Sequence, residues 1–160
     1  MDTTLVAAIL AAVATLVGAW IGISRQTKKK TDERLKAYRI LGEKIYQVRY
    51  HGATIRELLG NDPGPYFAQD IVSATKSFRD ACDSLQSVVG ANRWLISKNM
   101  YDGVADLIEA SANLIESLKQ GMSGAITPDQ IVRELTDLGR VFQDRLRMVE
   151  ELMRKEENKL

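Results

Sequence analysis

Apolar and polar positions divide this chain into two kinds of segment. Leu5 to Ile23 (LVAAILAAVATLVGAWIGI) is nineteen residues without a charge, apolar on every side. From Thr31 onward, apolar residues return at alternating three- and four-residue steps, the period of a helix with one buried face. Tyr38, Leu41, Ile45, Val48, Gly52, Ile55 and Leu59 form the first stripe, on a helix predicted from Thr31 to Leu59. The second stripe is Phe67, Ile71, Ala74, Phe78, Cys82, Leu85 and Val89, on a helix from Tyr66 to Val89. Met100, Val104, Leu107, Ser111, Leu114 and Leu118 form the third, broadened by Ile108 and Ile115, on a helix running to Gln120. The fourth is Ile131, Leu135, Leu138, Phe142, Leu146, Val149 and Met153.

The residues between the stripes act as stops and starts. Gly60 is a C-cap, and Asn61–Asp62–Pro63–Gly64–Pro65 is a turn that no helix crosses. Gly90 ends the second helix, Ser97 is placed to N-cap the third, and Gly121 and Gly124 bracket the next link. Thr127–Pro128–Asp129–Gln130 is a helix start: a capping Thr, a Pro in the first turn and a Gln three residues on. Trp94, Leu95 and Ile96 are too apolar for a free loop and are expected to tuck into the bundle end. Arg154 to Leu160 is polar and is expected to fray. No alternation of period two appears. The predicted fold is all-α: one N-terminal transmembrane helix followed by a cytosolic antiparallel four-helix bundle. Val72, Ile108, Ile115 and Val132 give some helices a second apolar edge.

The charge-free segment rises about 1.5 Å per residue, so it spans roughly 28 Å, close to a hydrocarbon core. Arg25, Lys28, Lys29 and Lys30 follow it and place what comes after on the cytoplasmic side. A secretory signal carries its positive charge before the apolar run, the reverse of this order; a buried soluble helix is the second rival, since the segment is Ala-rich and only moderately hydrophobic. Trp20 near the basic end suits a membrane interface. The expected organisation is a short non-cytoplasmic N-terminus (1–4), a transmembrane helix (5–23), a basic juxtamembrane linker (24–30) and a cytosolic bundle (31–160), single-pass in the cell inner membrane. No breaker stands between Ile23 and Thr31, so the spanning helix can run on into the first bundle helix. Ala14, Gly18 and Gly22 form a row of small residues of the kind that lets helices pack closely in lipid.

Charge sharpens this picture. The chain is nearly neutral at +1, yet residues 25–56 hold ten Lys and Arg against Asp32, Glu33 and Glu43. Anionic headgroups account for part of that basic stretch; the remainder suits an anion site. The single Cys82 excludes a disulfide framework within one chain, and the single His51 leaves no metal-ligand spacing. No cofactor is expected. There is no phosphate-binding Gly loop, no G-x-S-x-G and no H-E-x-x-H, so an enzyme is not expected. Asp102, Asp106, Glu109 and Glu116 read as a solvated acidic face.

The first bundle helix carries the candidate site. With its stripe buried, Arg39, Glu43, Tyr46 and Tyr50 project on the opposite side, with Arg49, His51 and Arg56 nearby. Arg presents a planar fork for phosphate, and Tyr a ring for stacking on a base. Both residue types also favour protein interfaces. Arg39, Tyr46, Arg49, Tyr50, His51 and Arg56 are therefore the candidate ligand-binding residues. An oligomer contact and an ordinary surface are the other readings of the same face.

The layout of anchor, inside-basic flank and helical domain resembles the ancillary membrane effectors of type III CRISPR systems. The resemblance implies antiviral defence and a homo-oligomer, a tetramer, that binds cyclic tetra-adenylate and then perturbs the lipid bilayer through its transmembrane helices. It brings no binding residue of its own, and no DNA or RNA polymer is expected as a partner. The alternative is a membrane-tethered scaffold or adaptor that binds a protein partner without a small ligand; a third reading is a pore without a ligand.

Overall fold

The computed structural model describes the backbone of residues 3–60, 67–124 and 128–159, and within these the side chains of all but residues 3–14, 16–18, 21, 67, 128, 129 and 131. The described residues form four helices and no strand: α1 (Thr3–Gly60), α2 (Phe67–Ala91), α3 (Lys98–Met122) and α4 (Pro128–Glu157). The charge-free segment and the first amphipathic segment are thus one helix, which includes the basic residues 24–30. With no Pro or Gly between Ile23 and Thr31, nothing interrupts the hydrogen-bond ladder. The chain divides into two compact units, Met1–Lys36 and Ala37–Leu160.

In the first unit, residues 22–30 are all exposed. The Thr27 hydroxyl donates to the Ile23 carbonyl (2.8 Å) and the Thr31 hydroxyl to the Thr27 carbonyl (3.1 Å), which satisfies both side chains within the helix. Among the described residues no helix is long and apolar enough to cross a membrane. The expected span Leu5–Ile23 falls largely on positions whose side chains lie outside the description, Ala14 and Gly18 among them; Gly22 is exposed.

The second unit is an antiparallel four-helix bundle. Where α1 and α4 meet, a Cβ on Gly52 would stand 3.0 Å from the Phe142 ring and one on Gly42 3.3 Å from Met153, so α4 runs down α1 in reverse. Asp106 with Arg145 (3.3 Å) and Ser117 with Glu134 (3.2 Å) set α3 against α4 the same way. The α2–α3 connection returns to the start of the bundle, where the Ser97 amide donates to Tyr38 Oη (3.1 Å). One core runs the length of the bundle. Tyr38, Phe78, Phe142, Leu85, Met100 and Leu107 are among its large, fully buried members, and Phe78 meets Phe142 edge to face with centroids 5.5 Å apart.

The predicted stripes hold over most of their length. Leu59 is 40% exposed and Leu135 and Leu138 are half-buried, so the stripes thin out at the end of the bundle where α1 finishes and α4 starts. The side chains of Phe67 and Ile131, the turn 61–65 and the Thr127 cap lie outside the description.

Three helix ends and one connection differ from expectation; α2 passes Gly90 and ends at Ala91. Helix α3 runs through Gly121 to Met122, because the Ser123 amide reaches back to Lys119 and the left-handed turn falls on Gly124 (φ 70°). Helix α4 does not fray at Arg154: it reaches Glu157, held by the buried Glu156, which accepts from Tyr38 Oη (3.4 Å) and Lys159 Nζ (3.1 Å). In the α2–α3 connection Leu95 and Ile96 are buried, but Trp94 is 69% exposed. The Leu95 and Ile96 amides both bond back to the Asn92 carbonyl, a tight turn that leaves Trp94 on its outer side.

Candidate functional site

Helix geometry sorts the six candidate residues. At about 100° per residue, Arg39, Tyr46 and Tyr50 share the face directly opposite the core, Arg49 and Arg56 share the flank toward α4, and His51 lies on the other flank. Tyr46 and Tyr50 are 65% and 58% exposed, so the outward Tyr face expected from the sequence exists. His51 is half-buried with its ring edge-on to Tyr50 (centroids 5.3 Å apart). Arg49 is engaged by Glu150 of α4 at 3.0 Å, which ties it to the bundle surface. The six therefore point three ways and do not converge on one point.

Arg56 does line a concave site. A cavity of about 570 Å³ opens between α1 and α4 over the place where the stripes thin. Ile55, Leu59, Leu114, Leu135 and Phe142 form its apolar wall, and Arg56, Arg140 and Arg147 stand around it with Asp144, Gln143 and Thr136. Gly139 borders the space, and a Cβ there would meet nothing within 4 Å. All three arginines are exposed.

The volume suits a small molecule or an acyl chain. The chemistry is that of an anion receptor with an apolar floor, because guanidinium forks pair with carboxylate or phosphate while the floor takes a part that needs no hydrogen bonds. Among the described residues no group of His, Cys, Asp or Glu is placed to hold a metal ion.

Comparison with protein-family models, with curated proteins and with solved structures finds no match to this chain. The site therefore stands on its own geometry.

Arg140 and Arg147 escaped the reading of the sequence, although a signal for them is there. Arg133, Arg140, Arg147 and Arg154 recur at strict seven-residue intervals. That spacing drifts only about 20° per step, so the four make one cationic row along α4. The acidic face behaves as expected: Asp102 pairs with Lys98 (2.9 Å), Asp106 with Arg145 and Glu116 with Lys119 (3.6 Å), all at the surface. Cys82 is buried beside Ser111, and burial pushes its thiol up to about 11, the pKa of an inert packing residue rather than a nucleophile.

Proposed function

We propose that this chain is a single-pass, membrane-anchored signalling effector whose cytosolic bundle takes an anionic ligand in the α1–α4 groove. The observation that carries the reading is the set of three arginines, Arg56, Arg140 and Arg147, around one apolar cavity. The membrane side of the proposal rests on the charge-free Leu5–Ile23 followed by four cations. Helix α1 contains that segment and also supplies one wall of the groove, so it is the element through which ligand binding acts on the bilayer. The resemblance to type III CRISPR membrane effectors supplies the setting, antiviral defence by membrane perturbation, and the first ligand to try. Cyclic tetra-adenylate carries phosphate on every side, so it would meet the arginine mouths of several copies at once, in a homo-oligomer assembled through the small-residue row Ala14, Gly18 and Gly22.

The test is thermal unfolding of the full chain in lipid nanodiscs with cyclic tetra-adenylate and with inorganic pyrophosphate. A rise in midpoint that Arg56→Gln and Arg140→Gln each remove supports an anion site in the groove. No shift with either compound removes the nucleotide, and a shift untouched by both variants moves the site elsewhere.

The exposed Tyr46 and Tyr50 favour a second reading, a tethered scaffold with a protein partner on the outer face of α1. It predicts that Tyr46→Ala with Tyr50→Ala abolishes recovery of a stoichiometric partner from membranes. Under the ligand reading these two substitutions leave the anion-induced shift intact.

A further inference from the structure

The groove does not end at its arginines. A second cavity, of about 390 Å³, shares Leu59 and Leu135 with the first. Its other walls include Ile71, Val72, Leu118 and Met122, and no polar side chain lines it among the described residues. Among the described residues, charged side chains line the first cavity and none lines the second, and the two adjoin at Leu59 and Leu135 to make an apolar trough with its charge at the first. Leu59, Val72, Met122 and Val132 are 40%, 55%, 45% and 65% exposed along it, and covering them is favourable for any apolar occupant.

We infer that the trough binds a single-chain amphiphile with an acidic head, a long-chain fatty acid being the simplest case. This rests on the reading of the groove as an anion site and gives it a class of ligand other than the cyclic nucleotide tried first. The carboxylate sits among Arg56, Arg140 and Arg147, where fork-to-fork hydrogen bonds are strongest. The alkyl chain passes Leu59 and Leu135 and ends between Val72 and Met122. An alkyl chain brings no polar atom, so the second cavity imposes no unpaired group on it, whereas a nucleobase there would leave its donors and acceptors unsatisfied. A partner helix presents anchors repeated at even steps along a face; this trough changes character once, from charged to apolar, as one amphiphile does.

The experiment is photo-crosslinking of the full chain in lipid nanodiscs with palmitic acid that carries a diazirine near its chain end, read by peptide mass spectrometry. The expected label lies on the peptides holding Val72 and Met122, and is competed by palmitate and not by hexadecanol. Arg140→Gln with Arg147→Gln lowers it roughly tenfold, about the loss of one charge-assisted hydrogen-bond pair. Gly139→Leu, which fills the open space, abolishes it while the helical circular dichroism stays unchanged. Equal competition by hexadecanol, or indifference to the arginine variants, overturns the acidic head. Label confined to residues 3–36 overturns the site for this ligand. If pyrophosphate binds through Arg140 and Arg147 while palmitic acid leaves no label at Val72 or Met122, the groove reading stands and the amphiphile falls; if neither binds, both fall. A synthetic acidic amphipathic helix that binds through the same arginines where palmitic acid fails replaces the amphiphile with a protein partner.

Discussion

Gly52 is buried where α1 crosses α4, and a Cβ there would press on the Phe142 ring at 3.0 and 3.1 Å and reach Phe78 at 3.4 Å. Alanine is the better helix former by about 1 kcal/mol, but two packed rings cannot yield as a flexible side chain would. Overpacking of this kind costs about 1–3 kcal/mol. Gly52→Ala is therefore expected to lower the urea midpoint; a midpoint at or above that of the parent chain would contradict the packing described. Thr75 points the other way. It is 5% exposed, and its Oγ1 has no hydrogen-bond partner among the described residues. Replacing a buried, unpaired hydroxyl by a methyl of the same shape removes a desolvation penalty. Thr75→Val should stabilise the bundle by about 1 kcal/mol in denaturant unfolding, and destabilisation would mean that the hydroxyl is bonded after all.

At the scale of elements, the last turn of α4 is the informative case. Its sequence is polar, yet Glu156 is 8% exposed and closes a small network of Lys159, Tyr38 and Ser97. Lys159, chiefly through its hydrogen bond, holds the carboxyl below its ordinary range; burial opposes the shift, and Ser97 and Tyr38 add to it. A carboxyl lowered in the folded state contributes stability that is fully present above its unfolded value and is lost as pH falls through the folded one. Glu156→Gln is expected to lower the thermal midpoint at neutral pH and to flatten its decline on acidification. Parallel acid limbs for the two proteins would place the acid sensitivity in other groups. At the far end of the same helix Val132 is exposed and Leu135 half-buried. Helix α4 is thus tightly held where Glu156 anchors it and loosely covered where the trough opens. Local opening is easiest where apolar contacts are fewest, so amide exchange along α4 should be faster over residues 132–139 than over 142–153. Equal protection at both ends would contradict this gradient.

For the whole molecule, the proposal divides the labour along α1: residues 5–23 in the bilayer, residues 37–60 in the bundle. Alkaline carbonate extraction checks the first half. The full chain is expected in the membrane pellet, and a chain lacking residues 1–24 in the supernatant; full-length protein released by carbonate would remove the anchor and with it the effector reading. The two units also set different demands on composition. The bundle needs one apolar face per helix and solvated charges elsewhere, whereas Leu5–Ile23 offers no polar face at all.

Sequence alone determined the helical class, the four stripes, the inert burial of Cys82 and the absence of a breaker between Ile23 and Thr31, because each follows from spacing within one segment. The positions of Tyr38, Phe78, Phe142 and Val149 in the core were legible for the same reason. Tertiary structure decided what depends on two segments meeting. Trp94 is turned outward by a connection whose two neighbours fill the bundle end. Glu156 is buried where Tyr38 reaches it from α1, while its contact with Lys159 is local. The site followed the same rule: Arg56 was readable on α1, but only the antiparallel docking of α4 brings Arg140 and Arg147 to the same cavity, while Arg49 is diverted to Glu150. Periodicity fixes which face of a helix is apolar; it carries no information about which cation on the next helix will stand across the groove, since that depends on register between helices, which the core packing sets.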